Sequence, residues 1–278
     1  MVTMMQSCFR FPGFRTKACT LSYDDGMIED VRLVEIMRKY GVKGTFNLNS
    51  KNLESGADTM LSLDAAKELY GDDMEVALHG YRHIVLPAFP LDIGAWDVFS
   101  NREHLESAFK KIVRGYAYPC GEYSDEVKEM LKASGVAYAR TGVATEKFDL
   151  PTDWLELNPT CHHNDSRLLE LVDEFLAPKR SYQDRKPLLF YLWGHSYEFT
   201  RNNNWDVIEA FCKKISASED VWFATNIEVY NYVEAFKRIV ISSDGSTVYN
   251  PSSTRIYMRF LGPEFIVEPG ETVRIPKD

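Results

Sequence analysis

Residues 17–26, KACTLSYDDG, run from a β-prone stretch of small, hydroxyl and aromatic residues into two adjacent carboxylates, Asp24 and Asp25. Neighbouring carboxylates repel, are poor strand formers and add nothing to an apolar core. One reading is an ordinary Asp-Gly turn. The other is chemistry placed at the end of a strand. What the rest of the chain brings to the same place decides between them.

Working outward, strand and helix signals alternate. IEDVRLVEIMRKYG has apolar residues at helical spacing and a Gly stop, VKGTFNL reads as strand, LDAAKELYG as helix and MEVALHG as strand. A long helical stretch around WDVFSNREHLESAFKKIV leads to strand GYAYP, helix SDEVKEMLKASG and strand VAYART. A loop-rich FDLPTDWLELNPTCHHND then precedes helix SRLLELVDEFLA, the very hydrophobic strand PLLFYLWGH, helix WDVIEAFCKKIS, strand VWFAT and helix NIEVYNYVEAFKRI. Such alternation implies an α/β fold with a parallel sheet, and seven or eight units suit a closed (β/α) barrel better than an open sheet. From about Ile239 the helical period stops, and short β-type runs are separated by DG, NP, GP and PG turn signals. We therefore expect a barrel domain over residues 1–238 and a small β-rich C-terminal appendage over 239–278 packed on it.

The composition narrows the function. A chain of 278 residues with 45% hydrophobic and 26% charged content should bury an ordinary core. Its net charge of −9 argues against nucleic-acid binding and against an anionic membrane surface. No apolar run approaches the roughly 20 residues of a membrane span. Five widely spaced cysteines without a CxxC pair read as reduced, structural thiols. With no signal-peptide h-region visible, a cytoplasmic location is expected. The oligomeric state is open.

In a parallel barrel the C-terminal ends of the strands converge on one face. Here those ends carry Asp24 and Asp25, His79 and His83 in LHGYRH, the turn YPCG, Arg140 in ART, and His195 in WGHS. His79 and His83 are four apart, the spacing that puts two side chains on one face of a helical turn. By itself this pattern is more often structural than metal-binding. A carboxylate from another strand end would complete a His₂-carboxylate set with open positions, most often filled by zinc. Adjacent strand residues point in opposite directions, so one Asp can ligate while the other faces the attacking water. The double Asp thereby becomes intelligible.

The ordered set TLSYDDG, HGYRH, YPCG, DW and WGH resembles the polysaccharide deacetylases of the NodB-homology type, carbohydrate esterase family 4, over roughly residues 15–235. That resemblance implies a distorted (β/α) barrel and removal of acetyl groups from an N- or O-acetylated sugar with a divalent metal, most often zinc, with cobalt or nickel as alternatives. It implies Asp24 as base, Asp25, His79 and His83 as metal ligands, and His195 as the acid that protonates the leaving group. The backbone N–H of Cys120, with Pro119 and Tyr118 in the same turn, is the expected oxyanion donor and substrate contact. Trp154 and Trp193 would wall the acetyl pocket, and Asp149 or Asp153 would orient His195.

Three positions depart from the family pattern. Gly80 stands where Ser or Thr is usual, Ala117 where an Arg usually holds the base, and Trp193 where Leu is usual. Arg140, on the next strand, is the expected substitute for the missing Arg; the alternative is a surface Arg paired with Glu146. For the Asp149–Trp154 region the alternative is a polar loop over a buried Trp. His162 and His163 read as polar-loop residues rather than a second metal site, and His104 as solvent-facing. The competing functions are a non-sugar C–N amidase on the same scaffold and a catalytically silent carbohydrate-binding protein.

Overall fold

The computed structural model describes residues 8–178, 186–260 and 262–276. Its strands are β1 (Phe9–Arg10), β2 (Lys17–Asp24), β3 (Gly44–Leu48), β4 (Glu75–Leu78), β5 (Gly115–Ala117), β6 (Tyr138–Arg140), β7 (Cys161–His162), β8 (Leu188–Gly194) and β9 (Val221–Phe223), followed by five in the tail. The stretches read as helices form at Asp30–Lys39, Leu63–Tyr70, Leu91–Phe109, Asp125–Ala133, Leu168–Leu176, Trp205–Ile215 and Asn226–Lys237. Local chemistry starts several of them. Ser62 and Ser124 accept from backbone N–H groups of their first turns, and Thr225 forms a reciprocal capping box with Glu228.

The strands pair in parallel in the order β6-β5-β4-β3-β2-β8-β7. β2 lies at the centre with every residue buried. One edge of β2 pairs with β8, and the other is shared between β9 over Lys17–Cys19 and β3 over Leu21–Asp24. The two ends of the sheet are linked by one extended segment. Leu157 bridges Arg140 in parallel, and Cys161–His162 of the same segment pairs with β8. The result is a distorted (β/α) barrel whose last gap is spanned by residues 157–162. This corrects the sequence reading, which took that stretch as loop; a two-residue strand among Pro and polar residues carries no period-2 signal.

Two cores hold the molecule. The larger lies between the sheet and the helices that follow β2 to β8. The second joins Phe9, Phe11, Trp154 and the helix Asn226–Lys237 to tail residues such as Ile256, Met258 and Val267. The tail forms antiparallel strands β10 (Val240–Ile241), β11 (Thr247–Tyr249), β12 (Ile256–Arg259), β13 (Glu264–Val267) and β14 (Thr272–Arg274). β1 pairs with β12, so the first described strand lies in the tail's sheet rather than in the barrel. No helix among the described residues is long and apolar enough to cross a membrane.

Candidate active site and metal centre

Asp24 ends β2, where it is 2% exposed. An ionised carboxylate at such depth needs partners. Asn47, its ladder partner on β3, donates from Nδ2 to Asp24 Oδ1 at 2.8 Å. Arg140 donates from Nη2 to Asp24 Oδ2. The guanidinium is itself buried and lies over the ring of Trp193, its Cζ 4.4 Å from the ring centroid. Burial pushes the Asp24 carboxyl up, but Arg140, His79, His195 and the Asn47 hydrogen bond together outweigh it and hold it at about 2. Arg140 thus takes the substitute position expected of it, while Glu146 pairs with Arg167 instead.

Asp25 turns the other way. Its backbone is left-handed, φ +81°, and its side chain meets the two histidines. Asp25 Oδ1 lies 3.8 Å from His79 Nε2 and 3.9 Å from His83 Nε2, and the two Nε2 atoms are 3.1 Å apart. Two nitrogens each about 2.0–2.1 Å from one tetrahedral ion would stand roughly 3.3 Å apart, so the spacing fits a shared cation. The proton on His79 agrees: Nδ1 lies 2.8 Å from Ala117 O and must donate to it, which leaves the Nε2 lone pair for a ligand. The chemistry of the set, two imidazoles and one carboxylate, suits zinc and its neighbours among divalent metals.

The histidine pair corrects the expectation of a helical turn. Residues 79–83 form a loop in which Gly80 has φ +77° and His83 φ +55°. Asp97, buried on the long helix, accepts from the N–H groups of Tyr81 and Arg82 at 2.9 Å and clamps the loop. A Cβ on residue 80 would stand 2.6 Å from Asp97 Oδ2. Gly80 therefore replaces the family's Ser or Thr for a local reason. Asn49 completes the clamp by donating to the carbonyls of His79 and Gly80.

His195 faces both aspartates, its Nε2 3.8 Å from Asp24 Oδ2 and 4.0 Å from Asp25 Oδ2. Trp193 stands beside it, with ring centroids 5.9 Å apart. Behind His195 is a second cluster that sequence reasoning missed, centred on Glu198. Nε2 of His162 and Nε2 of His163 both lie 3.1 Å from Glu198 Oε2. This cluster differs from the first in its protons. His162 Nδ1 accepts from the backbone N–H of Asn164 at 3.1 Å, so its Nε2, 3.1 Å from Glu198 Oε2, carries the hydrogen. An ion there would have to displace that proton, whereas His79 already offers a lone pair.

Other expected residues fall elsewhere. Trp154 does not wall the pocket: it lies in the second core and donates from Nε1 to Glu234 at 2.8 Å. Asp153 caps its own turn through Leu155 N–H and pairs with Lys128, and Asp149 pairs with Lys186. Neither approaches His195, because the loop that carries them packs toward the last helix and the surface. Tyr118 is a buried strut, its hydroxyl donating to Leu155 O at 2.8 Å, and Pro119 is buried beside it. Cys120 is the exposed corner of that turn, with φ +58°. The other four thiols are buried, and none of the five forms a disulfide. His104 is exposed, as expected.

Asn47, Asp97 and Glu198 each left a trace in the sequence. Asn47 is a polar residue inside an apolar strand, Asp97 an acid on the inner face of a helix, and Glu198 lies three residues after His195.

The polysaccharide deacetylase family profile matches residues 13–139, which bears out the NodB-type resemblance of the motifs. No curated protein matches the chain. Among solved structures, a Mycobacterium smegmatis protein that bears the same family's name is 16% identical, with 83% of this chain and 94% of that one covered at a TM-score of 0.60. A Puue allantoinase is 12% identical, with 79% and 91% covered at a TM-score of 0.61. The Streptococcus pyogenes deacetylase PplD, solved with acetate, is 23% identical over 49% of this chain, which spans 61% of PplD's length at a TM-score of 0.47.

Proposed function

We propose, taking the polysaccharide deacetylase match as premise, that this chain is a metal-dependent hydrolase that removes acetyl groups from an N- or O-acetylated sugar. One observation carries the reading. A carboxylate held ionised by Arg140 and Asn47 stands between a His₂-carboxylate ligand set and a further imidazole, His195. A structural cluster has no need of a base, a ligand set and an acid at once.

Asp25, His79 and His83 would hold the divalent ion, which when bound supplies Lewis-acid activation of water and of the acetyl carbonyl. Asp24 accepts the proton of the attacking water, its free lone pairs aimed by Arg140 and Asn47. The backbone N–H at Cys120 donates to the oxyanion that forms on the acetyl carbonyl. His195 then gives a proton to the departing nitrogen or oxygen. Trp193, stacked on Arg140, narrows the space for the acyl methyl and fixes the guanidinium.

The test is acetate release across acetylated mono- and oligosaccharides and non-sugar acetamides, with added zinc, cobalt or nickel. Release from sugars that Asp24→Asn abolishes, with metal retained, is the expected result. Turnover of the non-sugar amides alone would move the chain to the amidase alternative. Sugar binding without acetate release under any metal would make it a silent binder.

A further inference from the structure

With Asp149 and Asp153 remote, the carboxylate nearest the rear of His195 is Glu198. His195 turns Nε2 toward the aspartates, so Nδ1 points away from them, and Glu198 Oε1 lies 4.0 Å from it. Nδ1 is buried without a hydrogen-bond partner. Glu198 lies in the first turn of the short helix Tyr197–Asn202, and its backbone N–H donates to His195 O at 3.1 Å. Imidazole and carboxylate are thus tied through one tight turn.

Glu198 is held in place from several sides. Its Oε2 accepts from Asn164 Nδ2 at 3.1 Å and has the two imidazoles His162 and His163 at the same distance. Arg201 donates to Oε1 at 3.1 Å. His163 is wholly buried, stacked on Phe199 at 4.1 Å. It presses so closely on the WGH strand end that a Cβ on Gly194 would lie 2.0 Å from its Nδ1. That packing positions His163 against Glu198 and sets where His195 leaves the strand.

We propose that Glu198, fixed by His162, His163 and Asn164, is the positioning residue for His195, and that this cluster works without a metal of its own. The proposal rests on the reading of His195 as the acid. A carboxylate at Nδ1 accepts the Nδ1 hydrogen, keeps the other hydrogen on Nε2 where the leaving group departs, and balances the charge of the protonated ring. The remaining gap is of the kind that closes when a substrate orders an acid. The hydrogen on His162 Nε2, the nitrogen beside Glu198, argues against a second ion.

The experiment compares Glu198→Gln, Glu198→Asp and His195→Ala on two substrates: an N-acetylhexosamine oligosaccharide, whose amine must be protonated to leave, and 4-nitrophenyl acetate, whose phenolate leaves without a proton. Glu198→Gln should lower kcat on the sugar about 10- to 100-fold with KM within about twofold, and should leave the aryl ester within about threefold. Glu198→Asp should recover part of the loss, the bound metal should stay at about one ion per chain, and near-UV circular dichroism should match the parent. Equal loss on both substrates in Glu198→Gln, while His195→Ala is selective for the sugar, overturns the proposal. If His195→Ala itself shows no selectivity, His195 is not the acid and the proposal falls with that reading. A second bound ion that Glu198→Gln removes would also overturn it, and so would an inability of both Glu198 variants to fold, which would make the residue structural.

Discussion

Ala117 and Arg140 are Cα partners across the parallel ladder of β5 and β6, and the Arg140 guanidinium reaches Asp24 from there. The position that carries Arg in the resembling family holds Ala here, and the cation is supplied by the neighbouring strand at the same level. A parallel ladder makes this exchange geometrically simple, because side chains of paired residues point to the same side of the sheet about 5 Å apart. The Ala117 carbonyl meanwhile orients His79.

Arg140→Ala should lower turnover by about 100-fold or more while the chain retains its metal, because it strips the base of its main cation. It leaves a buried carboxylate unpaired, so a stability loss of about 3–5 kcal/mol should accompany it. Arg140→Lys should recover stability better than activity, as an ammonium lacks the several donors and the broad face with which the guanidinium meets both Asp24 and Trp193. Kinetics, metal analysis and denaturant melts on the same preparations separate these effects.

Purified protein should carry about one divalent ion per chain, and His79→Ala and His83→Ala should each weaken binding at least tenfold. Metal analysis after dialysis against chelator, followed by re-addition of zinc or cobalt, measures this. Retention of the ion by both variants would place the metal elsewhere.

Gly80→Ser, which restores the family's usual residue, should weaken the site. A side chain there strains a left-handed backbone and meets Asp97, so a loss of about 1–2 kcal/mol in stability and weaker metal binding are expected. Gly80→Ser together with Asp97→Ala relieves the clash but releases the Tyr81 and Arg82 amides, and should not restore metal affinity. Parallel metal titrations of the two variants decide this.

The metal-free protein should show the depressed Asp24 ionisation in its acid unfolding. The folded value of about 2 lies below the ordinary 3.8, so the carboxylate contributes stability above about pH 4 that is lost as pH falls toward 2. The difference amounts to about 2 kcal/mol, and Asp24→Asn should lack that part of the fall. Urea melts between pH 5 and pH 2 on both proteins test it. Identical slopes would mean that Arg140 does not hold the carboxylate ionised.

Much of this protein was legible residue by residue. The alternation of period-2 and period-3.6 stretches predicts each barrel strand except β7, because those signals are local and follow from which face each element buries. The convergence of Asp24, Asp25, His79, His83 and His195 also follows from the chain, since parallel strands bring their C-terminal ends to one face. Arg140 could be named as a substitute because its strand neighbours the one that lost the Arg.

Tertiary structure alone decided the rest. Strand register set Asn47 and Arg140 against Asp24, and register is a property of two segments rather than one. Asp149, Asp153 and Trp154 lie in a loop whose local chemistry is the same whether it folds over the site or away from it. Packing against the helix Asn226–Lys237 took it away. The roles of His79 and His162 parted for a similar reason: each imidazole's proton is assigned by a backbone group beside it, Ala117 O for one and Asn164 N–H for the other. Such a partner is chosen by the folded path of the chain, so two histidines that look alike in sequence end with opposite ring nitrogens carrying the proton.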